Sequence, residues 1–222
     1  MSSQKVYVDY WQRKDKLAQS VPHFPVLKWW NAEGLSESDK VLFKAIEEKS
    51  NLLDIGAGNL RIKKKIINAG FKGTYDTQDI GEEFSYTYNN INEISKKYGA
   101  IICLDVIEHL QLAEGLNLIE QLIERLEDGG ALVIQTPNAK CIRHPLSWDM
   151  SHLHCYNLND LWSYLSNFNL EVKGYRVVFV AERTSLKNKF LSMIGSYVIT
   201  RLLGMDYADN IMLIAIKTCS KL

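Results

Sequence analysis

The sequence has no Cys-x-x-Cys pair, no net charge and no apolar run long enough to cross a bilayer. Each absence narrows the field. Cys103, Cys141, Cys155 and Cys219 are widely spaced, so there is no sign of a disulfide framework, and a reducing cytoplasm is the expected setting. Lys and Arg number 26 and Asp and Glu 26, a balance that exerts no global pull towards nucleic acid or anionic membrane. Met1 to Asp9 lacks the apolar core of a signal peptide. The longest uncharged stretch near the C-terminus, Phe190 to Thr200, is too short to span a bilayer. Repeats and low-complexity segments are absent as well. What is there is a chain of 222 residues, 46% hydrophobic, enough for one globular domain with a sizeable core.

Strand and helix patterns alternate along it. The sequence predicts strands at about 51–55, 73–79, 100–105 and 130–136, with a weaker one near 86–89. It predicts helices over Asp39 to Glu48, at about 60–69 and at about 109–127. In the last, Leu112, Leu116, Ile119, Ile123 and Leu126 make one apolar stripe, and Gly129 and Gly130 are expected to end it. The tail reads as a helix over Asn157 to Asn167, a strand over Glu171 to Val180, a helix over Leu186 to Leu203 and a strand over Ile211 to Lys217. Such alternation implies an α/β domain, a parallel sheet with helices on both faces. Residues 1–40 form an arm rich in aromatics, with Tyr7, Tyr10, Trp11, Phe24, Trp29 and Trp30, broken by Pro22 and Pro25. It could close over a bound acceptor as a lid or simply pack on the domain, expected to cover 41–222.

The most informative stretch is Asn51-Leu-Leu-Asp54-Ile-Gly56-Ala57-Gly58-Asn-Leu60. A strand runs into a glycine turn and a helix start. Glycine lets a ligand approach the backbone, and the free N–H groups of the helix start form a polar cradle. A dinucleotide fingerprint would place a third glycine where Arg61 stands. Asp54 inside the motif suits a ligand with an ammonium group and hydroxyls better than a pyrophosphate. Leu-Asp-Ile-Gly-Ala-Gly resembles the first motif of class I methyltransferases that use S-adenosylmethionine. A strand–turn–helix without a ligand is the alternative. Asp79 ends the second strand about twenty residues on, where a carboxylate can accept bonds from both ribose hydroxyls; Asp76 competes but lies mid-strand, and a merely solvated strand-end Asp is the alternative.

Tyr98-Gly-Ala-Ile-Ile-Cys-Leu104-Asp105-Val-Ile-Glu108-His109-Leu110 is more specific. It resembles the fourth-strand motif of methyltransferases similar to the ubiquinone-biosynthesis O-methyltransferases, which usually read Glu-Val-Ile-Glu-His-Leu. Asp105 replaces the first Glu. Asp128-Gly-Gly-Ala-Leu-Val-Ile-Gln-Thr136-Pro-Asn138 resembles the fifth strand and its exit, and the likeness covers roughly residues 50 to 175. The resemblance implies a Rossmann-like class I methyltransferase fold: a mostly parallel seven-stranded sheet whose last strand runs antiparallel. It implies S-adenosylmethionine as cofactor, S-adenosylhomocysteine as product, and a cofactor set of Asp54, Gly56, Ala57, Gly58, Asp79, Ile80, Asn90, Ile91, Leu104 and Asp105. Asn90 and Ile91 would bracket the adenine ring.

Asp105, Glu108 and His109 lie at i, i+3 and i+4, so a helix starting soon after Asp105 turns all three to one cleft. They could position the methionine part, supply a base or bind a divalent cation, as a Glu-x-x-Glu-His set does in some resembling families, including small-RNA 3′-end methyltransferases. The structural alternative is that Glu108 caps the helix and His109 packs beneath a loop. A metal on Asp105, Glu108 and His109 is an option, not the expectation. In Trp148-Asp149-Met-Ser-His152-Leu-His154-Cys-Tyr156, His152 and Tyr156 could line an acceptor pocket, with His154 equally a loop residue. An imidazole suits proton removal from a hydroxyl near neutral pH. The basic run Arg61, Lys63, Lys64, Lys65 reads as a solvated helix face. The expected catalytic residues are His109, His152 and Asp105. The expected activity is methyl transfer to a small-molecule acceptor, at oxygen. The alternatives are a metal-assisted RNA 2′-O-methyltransferase, disfavoured by neutral charge and the lack of an RNA-binding module, and a non-catalytic S-adenosylmethionine-binding domain.

Overall fold

The computed structural model describes residues 16, 17, 19, 22–29, 34–179, 198 and 202–218. Its sheet has seven strands: β1 (Val26–Trp29), β2 (Asn51–Ile55), β3 (Thr74–Gln78), β4 (Tyr98–Leu104), β5 (Leu126–Pro137), β6 (Leu170–Phe179) and β7 (Asn210–Lys217). Their spatial order is β1-β6-β7-β5-β4-β2-β3. β7 is antiparallel to β5 and to β6; every other pairing is parallel. Four helices accompany it among the described residues: α1 (Glu37–Ile46), α2 (Arg61–Asn68), α3 (Leu112–Glu124) and α4 (Leu158–Leu165).

Strand alternation divides the core. Leu53, Ile101 and Leu132 pack with Ile119 and Leu122 of α3 and Leu161 of α4. Their chain neighbours Leu52, Ile102 and Val133 pack on the opposite face with Leu42 and Ile46 of α1 and Ile66 of α2. Both faces are covered, so the central strands read as continuous apolar runs. α1 starts with a capping box: Ser36 Oγ accepts from Asp39 N–H, and Asp39 returns the bond to Ser36 N–H, each at 3.0 Å.

The structure corrects three expectations. The strand near 86–89 is only a single bridge between Tyr88 and Gln78. Thr77 and Thr87 exchange bonds at 3.1 Å from each backbone N–H to the other's hydroxyl, so side chains take the place of ladder carbonyls. The seventh strand is β1, which lies inside the expected arm and pairs with β6; with α1 beginning at Glu37, the domain starts well before residue 41. Gly129 and Gly130 do not end α3. The helix stops at Glu124, and Leu126 already pairs with Tyr98 in β5. The glycines sit within β5 near a register shift, Gly129 with φ +73°. The expected helix over Leu186 to Leu203 lies largely outside the described residues; Leu202 and Leu203 are helical.

Candidate active site

The glycine turn sits at the carboxyl end of β2. Gly56 and Ala57 both donate to the Gln78 carbonyl, at 2.8 and 3.1 Å, stapling the turn to β3. Gly56 has φ +69°, and a Cβ there would run into Val106 Cγ2. Glycine is required at this point both by the left-handed backbone and by the close exit of β4. Asp79 joins the two loops: one carboxylate oxygen accepts from Gly58 N–H and the other from Gly81 N–H, each at 2.8 Å. Tyr86 donates its hydroxyl to the Gly58 carbonyl at 2.9 Å.

Two cavities meet here. The larger, about 550 Å³, runs from Asp79, Ile80, Asn90 and Ile91 to Val106, His109 and the Asn117–Gln121 face of α3. The smaller, about 290 Å³, is bounded by Ala57, Gly58, Arg61, Leu104, Gln135 and the start of α1. Gly56 and Asp105 line both. Asp105 has a left-handed backbone, φ +54°. Its carboxylate accepts from Gln135 Nε2 at 3.3 Å and Asn210 Nδ2 at 3.0 Å; the residue as a whole is exposed, but desolvation of the carboxylate raises its pKa. Asp54, expected to face the ligand, lies elsewhere. It is 3% exposed beneath the turn, accepts the Tyr75 hydroxyl at 2.8 Å and lines neither cavity. Burial pushes its pKa up to about 7 against the bond from Tyr75.

A third group is polar and compact. One ligand-type atom from each of Glu108, His109 and His152 lies within 4.8 Å of the others. The two imidazoles meet edge to face at 4.9 Å. Glu108 is 1% exposed. Its Oε2 accepts from the Thr136 hydroxyl at 2.9 Å, while Oε1 has no hydrogen-bond partner among the described residues. Burial, followed by the nearby Asp105 charge, raises the Glu108 pKa to about 8. Leu153 and His154 both donate backbone N–H groups to the Glu108 carbonyl, at 2.8 and 3.1 Å, fastening the loop after β5 onto this turn.

This arrangement differs from the one expected from the i, i+3, i+4 spacing. Ile107–His109 is a 3-10 turn, not the start of α3. The carboxylate of Asp105 is held by Gln135 and Asn210, and His152 takes its place in the cluster. Tyr156 lines neither of these cavities: it is buried, with its hydroxyl 3.4 Å from the Ile107 carbonyl. His154 packs on Tyr156, and burial lowers its pKa.

The donor set suits a divalent cation. An unpartnered buried carboxylate oxygen beside two imidazoles offers one hard and two borderline ligands. A cation there would favour the ionised form of Glu108, which burial alone opposes.

A family described as "Methyltransferase domain" matches residues 31–188. The chain belongs to that family. It is a class I S-adenosylmethionine-dependent methyltransferase. Among curated relatives, the ubiquinone biosynthesis O-methyltransferase of Rickettsia typhi is 24% identical over 72% of this chain and 81% of its own. That of Rickettsia bellii is 24% identical over 65% and 77%. Among solved structures, a SAM-dependent methyltransferase from Archaeoglobus fulgidus superposes with TM-score 0.63 at 13% identity, covering 97% of this chain and 100% of that one. A plantazolicin methyltransferase in complex with SAH gives 0.54 at 17%, covering 80% of each.

Against this family's motifs, several residues of the candidate site carry no sequence signal of their own. Asn210 starts β7 and reaches Asp105 across 105 positions. Gln135 and Thr136 stand in the fifth-strand motif, but only the fold turns them to Asp105 and Glu108. The basic run is not simply solvated: Arg61 lines the smaller cavity, and Lys65 pairs with Asp39 at 3.0 Å.

Proposed function

We propose that this methyltransferase moves the methyl group of S-adenosylmethionine to a hydroxyl oxygen of a small molecule. The observation that carries this reading is the pair of imidazoles, His109 in the wall of the larger cavity and His152 edge to face with it. The ubiquinone O-methyltransferase relatives support oxygen as the acceptor atom. The adenosine would occupy the larger cavity, its ribose on Asp79 and its base between Ile80, Asn90 and Ile91. The methionine part would lie in the smaller, beside Ala57, Gly58 and Leu104, with Arg61 and Asp105 offering opposite charges for its carboxylate and ammonium. The sulfonium would then stand where the cavities meet, at Gly56 and Asp105.

The chemistry asks little of the protein beyond placement. The acceptor oxygen forms a bond to the methyl carbon as the carbon–sulfur bond breaks, and that electron pair stays on sulfur as a neutral thioether. The hydroxyl proton passes to a ring nitrogen of His109 or His152. In-line alignment supplies much of the rate, and the base roughly a hundredfold to ten-thousandfold. Three free cysteines among the described residues, Cys103, Cys141 and Cys155, fit a reducing cytoplasmic setting.

The test is transfer from methyl-labelled S-adenosylmethionine to a panel of catechols and phenols, with single-stranded and duplex RNA as competitors. Label in an O-methyl group of a small acceptor is expected. Label only in RNA, or only on nitrogen or carbon, contradicts the proposal. The unpartnered Glu108 Oε1 favours a second reading in which Glu108, His109 and His152 hold a divalent cation. Bound there, the cation would supply Lewis acidity that eases loss of the acceptor's proton.

A further inference from the structure

The loop between β5 and α4 does more than close the site. His109 Nδ1 lies 2.9 Å from Ser151 Oγ and 3.4 Å from the Ser151 carbonyl oxygen. Ser151 Oγ in turn donates to Asp149 Oδ1 at 2.6 Å, and Ser151 N–H donates to the same oxygen at 2.9 Å. His152 Nδ1 lies 2.8 Å from the Pro145 carbonyl. These contacts settle where the protons sit. A carbonyl only accepts, so His152 Nδ1 must carry hydrogen. A carboxylate only accepts, so Ser151 gives its single hydroxyl hydrogen to Asp149 and turns a lone pair to His109, whose Nδ1 must carry hydrogen too. In each neutral ring the lone pair is then left on Nε2.

We propose that Asp149 and Ser151 are positioning residues that lock His109 as its Nδ1–H tautomer, as the Pro145 carbonyl locks His152, so that both rings keep Nε2 free to take a proton or a cation. Free histidine favours the opposite tautomer, so the loop selects a form that solution would leave in the minority. The loop is itself held: Leu153 and His154 are bonded to the Glu108 carbonyl, Ser147 Oγ donates to the His144 carbonyl at 2.7 Å, and Trp148 Nε1 donates to the Arg143 carbonyl at 2.9 Å. Asp149 and Ser151 are both exposed, so truncating them leaves the core intact. Hydrogen bonds of this kind fix the orientation and basicity of an imidazole, whether it serves as ligand or base.

The proposal rests on the reading of His109 and His152 as active-site groups, but its test does not use their activity. Two-bond 1H–15N correlation spectra of the full chain with 15N-labelled histidine, free of cofactor and acceptor, read each tautomer directly at a pH where the rings are neutral. Both His109 and His152 are expected with protonated Nδ1 and pyridine-type Nε2. Ser151→Ala, and Asp149→Ala through release of the Ser151 hydroxyl hydrogen, are expected to raise the share of His109 protonated on Nε2, with the 3.4 Å contact to the Ser151 carbonyl as the one Nδ1 contact that Ser151→Ala leaves in place. His152 and the unfolding midpoint should stay as they were, and Ser151→Thr should restore the native pattern. A native His109 protonated on Nε2, or His109 signals unmoved by Ser151→Ala, overturns the proposal. Methyl transfer can fail its own test while these tautomers stand, and the reverse.

Discussion

At the scale of single residues, the two aspartates that end or interrupt the first strands behave oppositely. Asp79 faces the larger cavity and satisfies two backbone N–H groups. If it also takes the ribose hydroxyls, Asp79→Ala weakens S-adenosylhomocysteine binding by about 1–3 kcal/mol, the cost of stranding polar partners. Titration calorimetry checks this, and unchanged affinity removes the ribose assignment. Asp54 is buried under the turn, with its pKa at about 7 against an ordinary 3.8. Between those values the folded chain holds a proton that the unfolded chain has lost, so this group's contribution is full below the lower value and fades as pH rises to the upper one. Asp54→Asn removes that dependence. Its stability relative to the native chain should climb across this window by as much as roughly 4 kcal/mol. Urea unfolding at stepped pH measures the difference; one that stays flat contradicts burial as the cause. His109→Ala or His152→Ala should cut turnover by about a hundredfold to ten-thousandfold if that ring is the base, with S-adenosylhomocysteine affinity nearly intact. If both variants turn over normally, catalysis is positional.

At the scale of elements, the turn after β2 is the most constrained piece. Gly56→Ala must adopt φ +69° and displace Val106. A cost of about 1–3 kcal/mol in stability is expected, with loss of cofactor binding, because Gly56 lines both cavities. Thermal unfolding and calorimetry on one sample separate the two effects. The same turn was legible in the sequence because glycine spacing and a preceding apolar run are local signals. β2, β4 and β7 were legible for that reason as well. β1 was not: four residues, from just after Pro25 to the first of two tryptophans, carry little periodicity, and their partner β6 lies 150 positions away along the chain. The i, i+3, i+4 spacing of Asp105, Glu108 and His109 gathers the three side chains only in a helix. A left-handed Asp105 followed by a 3-10 turn removes that premise, and His152, not Asp105, gathers with Glu108 and His109. His152 was legible as a candidate, but only the loop's bonds to Glu108 bring it to His109.

At the scale of the whole molecule, the sheet gathers groups at the carboxyl edge of its parallel strands from four strand exits, the glycine turn, Asp79, Asp105 and the His152 loop, and from the start of the antiparallel strand, Asn210. If the Glu108–His109–His152 cluster works through a cation, chelation should abolish turnover, manganese or magnesium should restore it, and Glu108→Gln should not respond to added metal. Turnover indifferent to chelator leaves the two imidazoles to act as bases alone. Everything proposed for catalysis depends on the cofactor spanning both cavities and presenting its methyl group to the histidine pair. A crystal structure with S-adenosylhomocysteine and a catechol tests it most directly. Ribose hydroxyls on Asp79, sulfur at the junction of Gly56 and Asp105, and a catechol oxygen within hydrogen-bond reach of His109 or His152 are expected. Cofactor density outside these cavities, or a sulfur turned away from the histidine pair, would contradict it.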